Sequence, residues 1–97
     1  MKSEEVFKKA LELVMNVTGV PELAILHSSR KRCSDARYIL VIALSRMMSD
    51  TEIGEYLHRT SQGVGFIRRN GKRSEDILIK NNLKEVCKCI ESGFFPC

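Results

Sequence analysis

The stretch Ser49–Arg73, SDTEIGEYLHRTSQGVGFIRRNGKR, decides how this chain is read. Ser49-Asp50-Thr51-Glu52 has the form of a capping box, a hydroxyl at the cap and a glutamate three residues on. A helix is therefore predicted over residues 50–58, with Ile53, Tyr56 and Leu57 facing inward. Thr60 or Ser61 can cap a further helix, and Gly71 can end it. At about 100° per residue, Gly63, Val64 and Ile67 gather on one side of that second helix, and Ser61, Gln62, Gly65 and Arg69 on the other. Phe66 is expected at the border of the two faces, on the core side. Two short helices with an outward polar face, a slim glycine in its middle and arginines at its end form the pattern of a helix-turn-helix, here over about residues 50–71.

The flanking sequence continues in helices. Val6, Phe7, Ala10, Leu11, Leu13 and Val14 recur at helical spacing behind Ser3, which predicts a first helix over residues 4–16. Thr18-Gly19-Val20-Pro21 interrupts it, and Pro21 suits the first position of a short helix running to Leu26. A polar, basic loop over residues 27–32 precedes residues 34–48, which are apolar on almost all sides and so form the expected central helix. Ser74-Glu75-Asp76 starts a last helix over about residues 75–91, which Gly93 can stop. With 97 residues, 43% hydrophobic and 29% charged, the chain reads as one all-α domain, a compact bundle of about six helices.

Charge is concentrated more than its total suggests. The segments 30–37 and 68–73 hold eight of the 16 basic residues and a single acid, Asp35. They sum to +7 against +4 for the whole chain, which leaves the remainder at −3. Focused positive charge on a mildly acidic body suits a polyanion at a defined surface, and a nucleic-acid backbone is the commonest such partner.

Other classes find little support. The N-terminus MKSEEVFKK has charges where a secretory signal needs an apolar run, and the longest apolar stretch, residues 38–44, is far short of a bilayer span, so a cytoplasmic protein without membrane contact is expected. Cys33, Cys87, Cys89 and Cys97 make no zinc-ligand spacing and are read as reduced thiols. His27 and His58 have neither metal nor nucleophile spacing and are assigned to surface or helix-end positions, Tyr38 and Tyr56 to the edge of the core. No acid, base and nucleophile converge, so no enzyme, small-molecule substrate, metal or cofactor is expected.

Val17-Thr18-Gly19-Val20, SSRKRCSDARYILVIALSRM over residues 28–47, the Ile53-Gly54-Glu55 element and Arg59–Val64 together resemble the C-terminal DNA-binding domain of the bacterial replication initiator DnaA, a Trp-repressor-like helix-turn-helix. The resemblance covers about residues 5–71. It implies that the basic loop Arg30, Lys31 and Arg32 reaches phosphates and the adjacent minor groove, and that Arg37 lies near the DNA backbone. Where that family has Arg-Asp-His-Thr-Thr-Val, this chain has Arg59-Thr60-Ser61-Gln62-Gly63-Val64. Arg59 and Val64 match and the four residues between do not, so a different target sequence is implied. No G-x-x-x-x-G-K-[ST] phosphate loop occurs, and initiation of replication is not implied.

The expected function is binding of double-stranded DNA. Arg30, Lys31, Arg32, Arg37, Arg59, Arg68, Lys72 and Arg73 are the expected phosphate contacts, and Ser61, Gln62 and Arg69 the expected base readers. The alternative is a protein-interaction or dimerisation module that uses the C-terminal helix, where Ile77, Leu78 and Ile79 cannot all face one way. A homodimer would also suit DNA binding, because it sets two recognition helices a helical turn of DNA apart.

Overall fold

Fourteen residues from Lys31 to Leu44 form α3, the helix on which three of the others pack. Nine of them are buried, Cys33, Ala36 to Val41, Ala43 and Leu44, as an apolar run without a polar stripe requires. The computed structural model describes residues 3–28, 30–69, 81, 84–86 and 88, and every regular element among them is helical. Besides α3 these are α1 (Ser3–Thr18), α2 (Glu22–His27), α4 (Asp50–Leu57) and α5 (Ser61–Arg68). Asn81, Lys84 to Val86 and Lys88 are also helical and fall within the expected last helix, with Val86 fully buried. Gly71, residues 72–80, Cys87, Cys89 and the tail lie outside the described residues.

Local chemistry sets the helix ends. Gly19, in the left-handed region at φ 73°, terminates α1 and donates its N–H to the Met15 carbonyl at 2.8 Å. Pro21 is the extended N-cap of α2, one position before the place predicted for it. The central helix begins three residues earlier than predicted, which puts Lys31 and Arg32 on its first turn instead of in a loop. It also ends four residues earlier. The Ser45 hydroxyl donates to the Ile42 carbonyl at 2.7 Å, and the Met47 N–H takes the Leu44 carbonyl three residues back, tightening the chain into a turn.

α1 contributes Phe7, Ala10, Leu11 and Val14 to the core and packs on α3, as does α2 through Ile25. Ile39, Leu40, Leu44, Ile53, Leu57 and Val64 are almost wholly buried, each contributing about 1.5–3 kcal/mol of transfer free energy. Tyr38 is a core residue at 4% exposure, deeper than the edge position expected for it. Tyr56 does lie at the edge, where it stacks on Phe7 with ring centres 4.7 Å apart and joins α1 to α4. Among the described residues no helix is long and apolar enough to cross a membrane.

Candidate nucleic-acid interface

α4 and α5 meet in a corner of three residues, His58, Arg59 and Thr60. The Ser49 hydroxyl accepts the Glu52 N–H and starts α4, as the capping box predicts. His58 ends it in the left-handed conformation at φ 58°, and the Arg59 N–H returns to the Gly54 carbonyl at 2.8 Å. Thr60 then starts α5, its hydroxyl accepting the Gly63 N–H at 3.0 Å.

The corner is tight because position 54 is glycine. A Cβ there would stand 2.4 Å from the Arg59 carbonyl oxygen, so only glycine lets the incoming strand of backbone lie against α4. This close approach sets the direction in which α5 leaves.

On α5, Val64 is buried and Gly63 and Ile67 are half-buried, which makes the predicted inner side. Ser61 and Gln62 are exposed, as predicted for base readers, and Arg59 is exposed on the turn before them. The rest of the outer side differs from expectation. Gly65 is buried, not open: the position of its absent side chain lies 3.5 Å from Arg69 Nη2 and 3.7 Å from Asp50 Oδ2. Arg69 folds back along its own helix, its Nε–H donating to the Gly65 carbonyl at 3.1 Å, so it covers the glycine instead of reaching outward from it.

Arg68 requires a correction too. Its guanidinium donates to the Asp50 carboxylate, tying the end of α5 to the start of α4, so a carboxylate holds the place expected for a phosphate. Lys72 and Arg73 lie outside the described residues.

In the first basic segment, Arg30 is exposed and is the N-cap residue of α3, to which it supplies no side-chain cap. Lys31 stands 82% exposed with Nζ 3.6 Å from Asp35, a surface pair worth about 0–1 kcal/mol. Arg32 is exposed and donates to the Thr18 carbonyl at 3.1 Å, across the end of α1. These three cations crowd the first turn of α3, which contains no acid.

Arg37, expected at the DNA backbone, is the largest departure. It is only 6% exposed, with Nε donating to the Ile25 carbonyl at 2.7 Å and Nη2 to the Ser28 carbonyl at 2.6 Å. Ile25 lies in the last turn of α2 and Ser28 is its C-cap, a helix end at which carbonyls are left for side chains to satisfy. Arg37 is a structural cap, and a phosphate could reach it only by dismantling the α2–α3 junction.

Phe66, expected on the core side, belongs to this surface. It is 70% exposed, not core. Its position in the helix carries the signal: two residues from the fully buried Val64, it lies about 200° around the axis, and about 40° from Gln62. The exposed stripe is therefore Gln62, Phe66 and Arg69, with Ser61 at the helix start. Among the described residues no three of His, Cys, Asp and Glu come together as metal ligands, and Cys33 is a buried free thiol. No family model matches the chain, and neither a curated protein nor a solved structure matches it.

Proposed function

We propose that this chain is a DNA-binding domain in which α4 and α5 act as a helix-turn-helix, in keeping with its sequence resemblance to the DnaA C-terminal domain. The observation that carries this reading is the glycine-dependent corner at Gly54, which leaves the start of α5 projecting Arg59, Ser61 and Gln62 into solvent. α5 contains no acid from Ser61 to Arg69. A slim, polar and acid-free helix start is what a major groove admits, with Gln62 able to pair with the edge of adenine. The exposed Arg30, Lys31 and Arg32 supply phosphate contacts.

The roles are narrower than the sequence suggests. Arg37 holds α2, Arg68 holds Asp50, and Arg69 would have to leave the Gly65 carbonyl to read a base. The chain is read as a cytoplasmic binding protein and not as an enzyme. Docking through the C-terminal helix draws on Ile77, Leu78, Ile79, Leu83, Cys87, Ile90 and the tail Phe94-Phe95, outside the described residues, and on Val86, which is buried in the core, so no described feature favours it.

The test is binding of a fluorescent random-sequence 30-bp duplex across a salt series, beside a variant with Arg30, Lys31 and Arg32 replaced by alanine. The wild type should weaken steeply with salt, and the variant's log–log slope should be shallower by about 2–3, near 0.9 for each phosphate that the variant no longer neutralises. No binding at low salt sinks the proposal.

A further inference from the structure

We infer that Phe66 is a specificity-determining residue of α5 that packs against the 5-methyl group of thymine in the major groove, one to two base pairs from the base that Gln62 reads. The inference rests on the DNA-binding reading and adds to it a base preference.

Phe66 differs from an ordinary surface apolar residue in its surroundings. Leu23 is as exposed, at 71%, but follows the acid Glu22 on a two-turn helix at the surface. Phe66 stands at the middle of the outward stripe of α5, one turn after Gln62 and three residues before Arg69. Its neighbour Gly65 offers no side chain, and Val64 and Ile67 face the core. Among the described residues nothing requires an aromatic ring there, because the position contributes little to the buried core. The charges on its own helix are cations: Arg69 is exposed three residues on, Arg59 is exposed just before the helix start, and the Asp50 carboxylate that faces Gly65 is paired with Arg68. A partner that docks on α5 must therefore accept positive charge at the edges and offer an apolar spot at the centre.

The major groove offers that combination at thymine. Its phosphates line the rim, and the thymine C5-methyl is the one apolar group on a base edge there. Intercalating wedges, by contrast, enter from the minor groove, which at about 6 Å is too narrow to admit a helix such as α5. Gln62 and Phe66 are four residues apart, about 6 Å along the axis, against about 3.4 Å between successive base pairs. The two side chains thus fall one to two pairs apart, an adenine for the amide and a thymine methyl for the ring.

The experiment uses duplexes enriched by the wild-type chain from a randomised 30-bp pool, then resynthesised with uracil replacing thymine at single positions. Uracil pairs as thymine does and lacks only the methyl. Wild type should lose affinity roughly fourfold at one or two positions, the effect of one buried carbon group. Phe66→Ala should bind more weakly and lose the distinction between thymine and uracil, while Phe66→Leu should keep part of it. Circular dichroism confirms that the variants are folded. A wild type indifferent to uracil at every position, or a Phe66→Ala variant with the same uracil penalty, overturns the inference and leaves DNA binding standing. Equal Phe66-dependent binding to single strands overturns it as well, in favour of base stacking. Failure to bind any duplex sinks the DNA-binding reading itself and this inference with it.

Discussion

Two corners of this molecule join helices in opposite ways. Between α2 and α3 the junction is held by a buried cation, the Arg37 guanidinium, which donates to the carbonyls of Ile25 and Ser28. Between α4 and α5 it is held by an absence, the missing side chain of Gly54, against which the Arg59 carbonyl lies. The first corner is a hydrogen-bonded one, in which removal of a group leaves acceptors without donors. The second is steric, in which addition of a group forces backbone apart. The contrast shows why charge in sequence is a poor guide to ligands: an arginine close to a helix C-terminus can be drawn to that helix's orphan carbonyls. Arg32 on Thr18 repeats the behaviour of Arg37 at the surface.

The hydrogen-bonded corner should be the costlier to break. Arg37→Ala leaves two carbonyls unpaired, one buried and one partly buried, and a cavity beside them, an expected loss of about 4 kcal/mol in urea unfolding. Arg37→Lys, which keeps the charge but not the two-pronged fork, should recover less than half of it. A loss under about 1 kcal/mol would mean that water replaces the guanidinium and that Arg37 is available to other partners.

Gly54→Ala comes next, with an expected loss of about 3 kcal/mol, because the obstructing atom is a backbone carbonyl and cannot rotate away. Here the two corners can be separated by function. Well below the melting temperature, the Gly54 variant should lose DNA affinity through a displaced α5, whereas a folded Arg37 variant should keep it. Equal affinity for both would detach the α4–α5 corner from binding. Thr60→Ala, which removes the hydroxyl that caps α5, should lower stability by about 1 kcal/mol, read as a drop in thermal midpoint.

The smallest effect concerns Asp50. Its pair with Arg68 is partly exposed, at 27% and 39%, so Asp50→Asn should change stability by less than about 1 kcal/mol. It should also release Arg68 toward phosphate, making the salt dependence of duplex binding steeper by about 0.9. An unchanged slope would assign Arg68 a purely structural role.

Much of the fold could be read from local signals. Ser49 and Thr60 cap their helices as predicted, Gly19 stops α1, and the all-round apolar run of α3 marks it as the centre. Part of the site was equally legible, since Ser61 and Gln62 lie on the exposed side of α5 where helical spacing puts them. For Phe66 residue type and angular position disagree: an aromatic favours the core, but the far side from Val64 faces solvent, and position decides.

These features are local because a cap, a left-handed glycine or a helical face depends on residues within about one turn of each other. The partners of Arg37, Arg68 and Gly54 are different. Arg37 and Ile25 are 12 positions apart and Arg68 and Asp50 are 18 apart, while Gly54 meets a carbonyl on the far side of a turn. Helical spacing gives the direction in which each side chain leaves its own axis but not which carbonyl or carboxylate stands opposite. That is decided by how α2 and α4 dock on their neighbours, so only the tertiary structure distinguishes a cation that closes the fold from one presented to a ligand.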